Sequence, residues 1–301
     1  MKKWIYRIGL GGLGLAIFAG AAMFAAAQLG GRKMQRQVDV AAYPLALASD
    51  AASLERGRYL YASRGCAECH APSGAGREFI NDGKGMRVKS PNISPGAGSV
   101  VATYTVQDWE RAIRHGVKPN GRPLMIMPSQ DYNRLTDEDT AALVAYVRQL
   151  PPATGTAAVI ELPTLLRALY GVGVVPDAAG TINHQLAPAK PVAAGVTTAH
   201  GGYVANMCVG CHGEKLSGGK IAGGPPDWPE AANLTPGEGS AMPHYANSEQ
   251  FAAMLRTGKR PDGSAVSPVM PFESLGALND IDVQALYLHL KALPSRPAGR
   301  H

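Results

Sequence analysis

All four cysteines of this 301-residue chain fall in two pentapeptides, "CAECH" at residues 66–70 and "CVGCH" at residues 208–212. Two thiols separated by two residues and followed by an imidazole admit four chemistries. A tetrahedral zinc ion takes four soft ligands, which the two pairs could supply together. That reading gives no reason for a histidine at the same place after each pair. A redox dithiol of the thioredoxin kind calls for a βαβ pattern around it, and none is evident. Disulfides are common in exported chains, yet cysteines two residues apart seldom pair outside redox sites. The fourth chemistry is covalent attachment of a c-type haem, whose motif is C-x-x-C-H. In it Cys66 with Cys69, and Cys208 with Cys211, bond the porphyrin edge, while His70 and His212 bind iron. This reading also explains why cysteine occurs nowhere else, and it is the one the motifs favour.

Methionine is the usual second axial partner of such a histidine. Met127-Pro128 lies 61 residues after Cys66, and Met270-Pro271 lies 62 after Cys208. These two are the candidate iron ligands. Met125 aligns with Pro268, which cannot ligate. Met242-Pro243 is only 34 residues beyond Cys208 and has no counterpart in the first half; it is expected to be core filler.

The elements around these residues are duplicated with an offset of about 142 residues. "SPNISPGAGS" (90–99) matches "AANLTPGEGS" (231–240), with Asn92 facing Asn233. "YTVQDWERAIRHG" matches "YANSEQFAAMLRTG", and "LTDEDTAALVAYVRQLP" matches "LNDIDVQALYLHLKALP". A period this long indicates two copies of one domain, not a solenoid. Each copy reads as helical. Thr105 with Asp108 resembles a capping box, Val106, Trp109 and Ile113 share a face, and Gly116 is placed to end that helix. Thr136 caps a last helix striped by Leu143, Val147 and Leu150; Asn279 caps its counterpart, striped by Leu286, Leu290 and Leu293. Short helices are expected before each motif, around 54–63 and 199–207. Trp109 and Phe251, at matched positions, are read as core groups. Tyr59 and Tyr61 are read as packing the first helix, and Asn92 and Asn233 as turn formers. His115 is assigned to a turn, and His184 and His200 to the linker between the copies.

The composition sets the frame. Plentiful Gly (36) and Pro (23) with 17% charged residues suggest short helices on long loops. The formal charge of +6 belongs to the N-terminus: six of the 29 bases precede Asp39 and no acid does, which leaves 23 bases against 23 acids. No basic stripe remains to suggest a nucleic-acid partner. After the basic start "MKKWIYR", residues 8–31 carry no charge over 24 positions. That is long for a signal-peptide core and sufficient for a membrane-spanning helix. A retained anchor is favoured, although Ala25-Ala26-Ala27 resembles a cleavage site.

"CAECH", "SPNISP", "DWERAIRHGV", "MIMP" and the last-helix segment resemble the class I cytochrome c domains of membrane-anchored cytochrome subunits of periplasmic alcohol, aldehyde and gluconate dehydrogenases. The likeness covers both repeats. Those subunits commonly carry three haems; this chain has two motifs. The resemblance implies an all-α fold of two tandem cytochrome c domains behind an N-terminal hydrophobic helix. The divisions expected are 1–37 (anchor), 38–53 (linker), 54–153 (first domain), 154–196 (between the copies) and 197–297 (second domain). It further implies two covalent haem c groups, one held by Cys66, Cys69, His70 and Met127, the other by Cys208, Cys211, His212 and Met270. The expected role is an electron relay on the periplasmic side of the bacterial inner membrane. It would run from a dehydrogenase subunit or quinone-linked donor to a soluble cytochrome or terminal oxidase. The alternative is a dihaem enzyme of the cytochrome c peroxidase or thiosulfate dehydrogenase type.

Overall fold

A computed structural model describes residues 2–221, 224–225 and 227–299; the side chains of residues 2–6, 8 and 9 also lie outside the description. Met1 of the anchor segment, and residues 222, 223 and 226 of the second repeat, are thus not among the described residues.

In chain order the elements are α1 (Lys2–Met34), α2 (Ala51–Ser63), α3 (Cys66–His70), β1 (Glu78–Asn81), β2 (Arg87–Lys89), α4 (Val106–His115), α5 (Asp137–Arg148), β3 (Val159–Glu161), α6 (Thr164–Gly171), α7 (Ala178–Thr181), α8 (Thr198–Ala205), α9 (Val209–His212), α10 (Ser248–Thr257), α11 (Phe272–Leu275) and α12 (Asp280–Ala292). The fold is mostly helical, as expected.

Local chemistry accounts for the helix ends. The Thr105–Asp108 capping box is present at α4, and Gly116 closes that helix at φ 65°. Gly258 closes α10 in the same way at φ 69°. The side chains of Thr136 and Asn279 accept from the third backbone N–H of α5 and α12. Short helices lead into both motifs: α2 directly, and α8 through a 3-10 turn, Asn206–Cys208.

Two apolar cores follow. One gathers Leu60, Trp109, Ile113, Leu143, Val144 and Val147 under α2, α4 and α5. The other gathers Val204, Phe251, Leu255, Val283, Leu286 and Leu290 under α8, α10 and α12. In each, the helix before the motif crosses the last helix at a glycine. A Cβ on Gly57 would overlap the carbonyl of Ala142, and one on Gly201 that of Ala285. Only glycine lets these backbones meet so closely. Trp109 and Phe251 are buried in their cores, as read from the sequence.

One expectation needs correction. The chain is not wholly helical: β1, β2 and β3 form an antiparallel sheet in the order β1-β2-β3, with Val88 paired to Ile160. Its strands are three or four residues long, too short to show an alternation. The residues after 153 pack back onto the first half. Asn92 N–H donates to the Thr156 carbonyl, Gly155 N–H to that of Ala97, and β3 completes the sheet. Further on, α6 lies along α1. The Gly155–Ala97 bond recurs in the second half as Ala298 to Glu238; the sheet and the α1–α6 contact have no such counterpart, so the repeat could not signal them.

Candidate functional site

The two CxxCH segments are single helical turns set off by left-handed backbone. Gly65 (φ 79°) precedes α3; Ala71 (φ 61°, ψ 160°) follows it, and Gly213 (φ 76°, ψ 160°) follows α9 at the matching place. Each turn puts two thiols and an imidazole on one short stretch. All four cysteines are free, and among the described residues no three His, Cys, Asp or Glu side chains gather as a metal site.

Each histidine is held by a backbone carbonyl. His70 Nδ1 donates to the Pro91 carbonyl at 3.1 Å, and His212 Nδ1 to that of Ala232 at 2.8 Å. A carbonyl can only accept, so the proton sits on Nδ1 and the lone pair on Nε2. Burial lowers the pKa of both rings, against a smaller opposite effect of these hydrogen bonds, so both imidazoles are neutral at pH 7. Burial pushes the Cys66 and Cys208 thiols up to about 12.

The carbonyls are themselves held by the next residue. Asn92 Nδ2 donates to the carbonyls of Ala97 and Ala153, and its Oδ1 accepts from the N–H and the hydroxyl of Ser94. Asn233 does the same with Glu238, Arg296 and Thr235. Both side chains are essentially inaccessible, at 0% and 1% exposure. They are more than turn formers: each ties the histidine-bearing loop to the segment after the last helix. The near-equal spacing of Asn92 and Asn233 behind their motifs, 26 residues after Cys66 and 25 after Cys208, was the sequence signal for this.

The candidate methionines occupy matched settings. A 3-10 turn (Ser129–Asp131) follows Met127-Pro128, and α11 follows Met270-Pro271. Ser129 N–H donates back to the Met127 carbonyl, and Phe272 N–H to that of Met270. Met127 packs on the same core as Cys66, and Met270 on the same core as Cys208. Met242 is a fully buried core residue, as expected.

The halves meet at these motifs. Glu68 of α3 accepts from Ser274 N–H of α11 at 2.8 Å. The Asp131 carboxylate, in the turn after Met127-Pro128, lies against Gly210 of the second motif. Beside this contact, Asp139 accepts from both Arg56 and Tyr203, while Asp282 accepts from Tyr59, Arg64 and His200. Each carboxylate stands in the first turn of one half's last helix and accepts from the leading segments of both halves. Tyr59 packs on the first core as expected and also sends its hydroxyl across to Asp282; Tyr61 packs within its own half, against Tyr146. Two expectations are corrected here. His200 is a buried member of α8, not of a linker. His115 is the last residue of α4, not part of a turn, and pairs with His184 through their Nδ1 atoms at 3.0 Å.

Residues 54–151 match the family described as cytochrome c, and this region of the chain is a cytochrome c domain. Several relatives are named as cytochromes. The fructose dehydrogenase cytochrome subunit of Gluconobacter japonicus is 27% identical over 271 residues, 81% of this chain and 53% of that protein. The gluconate 2-dehydrogenase cytochrome c subunit of Pantoea cypripedii is 36% identical over 112 residues, 34% of this chain and 24% of that subunit. A "Diheme cytochrome c-type" protein of Cereibacter sphaeroides is 30% identical over 151 residues, 47% of this chain and 48% of its own. The chain spans about half the length of the fructose dehydrogenase subunit.

The family implies covalent haem c, and the residues present fit it. Unpaired thiols stand two residues apart on one turn, and a neutral imidazole beside them has its Nδ1 proton committed to a carbonyl. That leaves Nε2 as the donor, the arrangement by which ligating histidines are oriented.

Proposed function

We propose that this chain is a membrane-tethered dihaem c-type cytochrome that relays electrons from a periplasmic dehydrogenase or quinone-linked donor to a soluble cytochrome or oxidase. The observation that carries the proposal is the duplicated site: two CxxCH turns, each with a carbonyl-clamped histidine and a matched Met-Pro turn on the same core. Cys66, Cys69, His70 and Met127 would hold one haem, and Cys208, Cys211, His212 and Met270 the other, within tandem domains at 54–153 and 197–297. Bound haem supplies a one-electron couple. His70 and His212 would hold the irons through Nε2, and Met127 and Met270 would serve as the second ligands that keep oxygen and peroxide away. The names of the relatives support a dehydrogenase as donor.

The direct contact between halves supports a relay within one chain. Glu68 against Ser274, and Asp131 against Gly210, hold each CxxCH turn beside the Met-Pro turn of the other half. The anchor would be α1, whose Leu10–Met34 stretch is long and apolar enough to cross a bilayer.

The test is optical. Purified protein is examined oxidised and reduced, with carbon monoxide and with peroxide. Two low-spin haems with a methionine–iron band, unmoved by either addition, are the expected result. A high-spin component, or fast carbon monoxide binding at one haem, would remove one methionine assignment and bring a dihaem enzyme forward.

A further inference from the structure

The segment after β3 has no place in either cytochrome-like half, yet it makes a close and specific contact with the proposed anchor. Helix α6 runs antiparallel to the end of α1. A Cβ on Gly30 would overlap the Arg167 carbonyl, and one on Gly171 the Ala26 carbonyl. Residue 167 is thus level with residue 30, and residue 171 with residue 26. The chain then turns at Val172–Val175 and comes back to Asp177. This return is fastened at the top of α1: Arg36 binds Asp177 through both nitrogens (2.7 and 2.6 Å), Tyr170 Oη donates to the same carboxylate, and Lys33 Nζ donates to the Tyr170 carbonyl at 3.0 Å.

The tip is built for an apolar medium. No charged residue occurs from 168 to 176. Val172 and Val174 are 58% and 64% exposed, and Leu165 on α6 is 56% exposed. The backbone N–H groups of the tip are all used internally: Val172 donates to Ala168, Gly173 to Tyr170, and both Val174 and Val175 to Leu169. Internal pairing of this kind is what lipid demands of any backbone that enters it. Six residues of α1 separate Ala26 from Arg32, about 9 Å of rise. That is the depth to which interfacial apolar elements sink. The exposed face also continues onto α1, where Phe24 and Leu29 are outward.

We propose that residues 168–176, at the end of α6, form an apolar finger that dips into the periplasmic leaflet beside the anchor, so that the body is seated on the bilayer and not merely tethered to it. This rests on the reading of α1 as a membrane-spanning helix. Lipid is the occupant because the finger descends along a helix whose own outward side chains are then in lipid, below its terminal bases Arg32, Lys33 and Arg36.

The test uses the full-length haem-loaded protein in vesicles of phosphatidylethanolamine and phosphatidylglycerol. Single variants Val174→Cys, Val172→Cys, Phe18→Cys and Leu186→Cys carry a nitroxide whose collisions with oxygen and with a water-soluble nickel chelate are compared. Labels at 172 and 174 are expected to favour oxygen several-fold, like the label at 18, while the label at 186 favours nickel. A lipid signal at 18 with an aqueous signal at 172 and 174 would overturn the finger and leave the anchor standing. Labels at 172 and 174 shielded from both reagents would mean that protein covers the tip, which also overturns the proposal. An aqueous signal at 18 would overturn the anchor, and the finger with it.

Discussion

His70 and His212 have their ring orientation set by the Pro91 and Ala232 carbonyls, and those carbonyls sit beside buried asparagines whose polar groups are fully used. Removing such an amide strands buried donors and acceptors, each costing about 1–3 kcal/mol. Asn92→Ala is therefore expected to lower stability by roughly 2 kcal/mol, and Asn233→Ala to do the same in the other half; urea unfolding followed by far-ultraviolet dichroism reads both. A pair of residues after the motifs tests backbone strain. Ala71 holds φ 61°, ψ 160° where the other copy has Gly213. Non-glycine residues in sparse regions cost about 1–3 kcal/mol, against about 0.5–1 kcal/mol for the added freedom of glycine. Ala71→Gly should raise the thermal midpoint and Gly213→Ala should lower it. A fall on Ala71→Gly would show that the alanine is unstrained.

At the scale of elements, the helices that lead into the motifs are bound to the last helix of the opposite half through Asp139 and Asp282. Burial alone would raise the Asp282 carboxyl, but the Arg64 charge and hydrogen bonds from Tyr59, His200 and Arg64 outweigh it and hold it below the usual carboxylate range. Asp139 is likewise lowered, burial being outweighed chiefly by Arg56. A depressed folded pKa contributes stability that is present above the unfolded value, near 4, and is lost as pH falls through the folded value. Acid should thus weaken the junction between the halves below about pH 4. Asp282→Asn is expected to lower stability at pH 7 by about 3–5 kcal/mol, since it strands Arg64. It should also flatten the pH dependence below 4. Urea midpoints from pH 7 to pH 3 check this; an unchanged slope in the variant would assign the acid sensitivity to other groups.

For the whole molecule, the decisive element is α1. Ala27 within the cleavage-like run is 1% exposed, and α1 is one uninterrupted helix from Lys2 to Met34. Cutting after Ala27 would remove Ala26 from its contact with Gly171 and sever the helix on which α6 rests. The intact mass of protein taken from membranes is therefore expected to include the whole N-terminal segment together with two haems. A mature chain beginning near residue 28 would show instead that the segment serves export only. Residues beyond 37 carry equal numbers of acids and bases, so association with a redox partner has no net charge to steer it and should respond weakly to ionic strength; stopped-flow rates across a salt series test this.

What the sequence by itself determined is what is local or repeated. The CxxCH turns, the Thr105, Thr136 and Asn279 caps, the glycine stops and the apolar stripes depend on neighbours within a few residues, and duplication separated the paired Met-Pro turns from Met242. Tertiary structure decided what joins residues far apart in the sequence. The short sheet recruits β3 across some seventy positions, Tyr59 and His200 meet on one carboxylate, and α6 seats on the anchor. Such contacts leave no periodic trace, because each depends on a single close approach (a glycine, a buried carboxylate, a paired arginine) that gains its meaning only when the chain has folded around it.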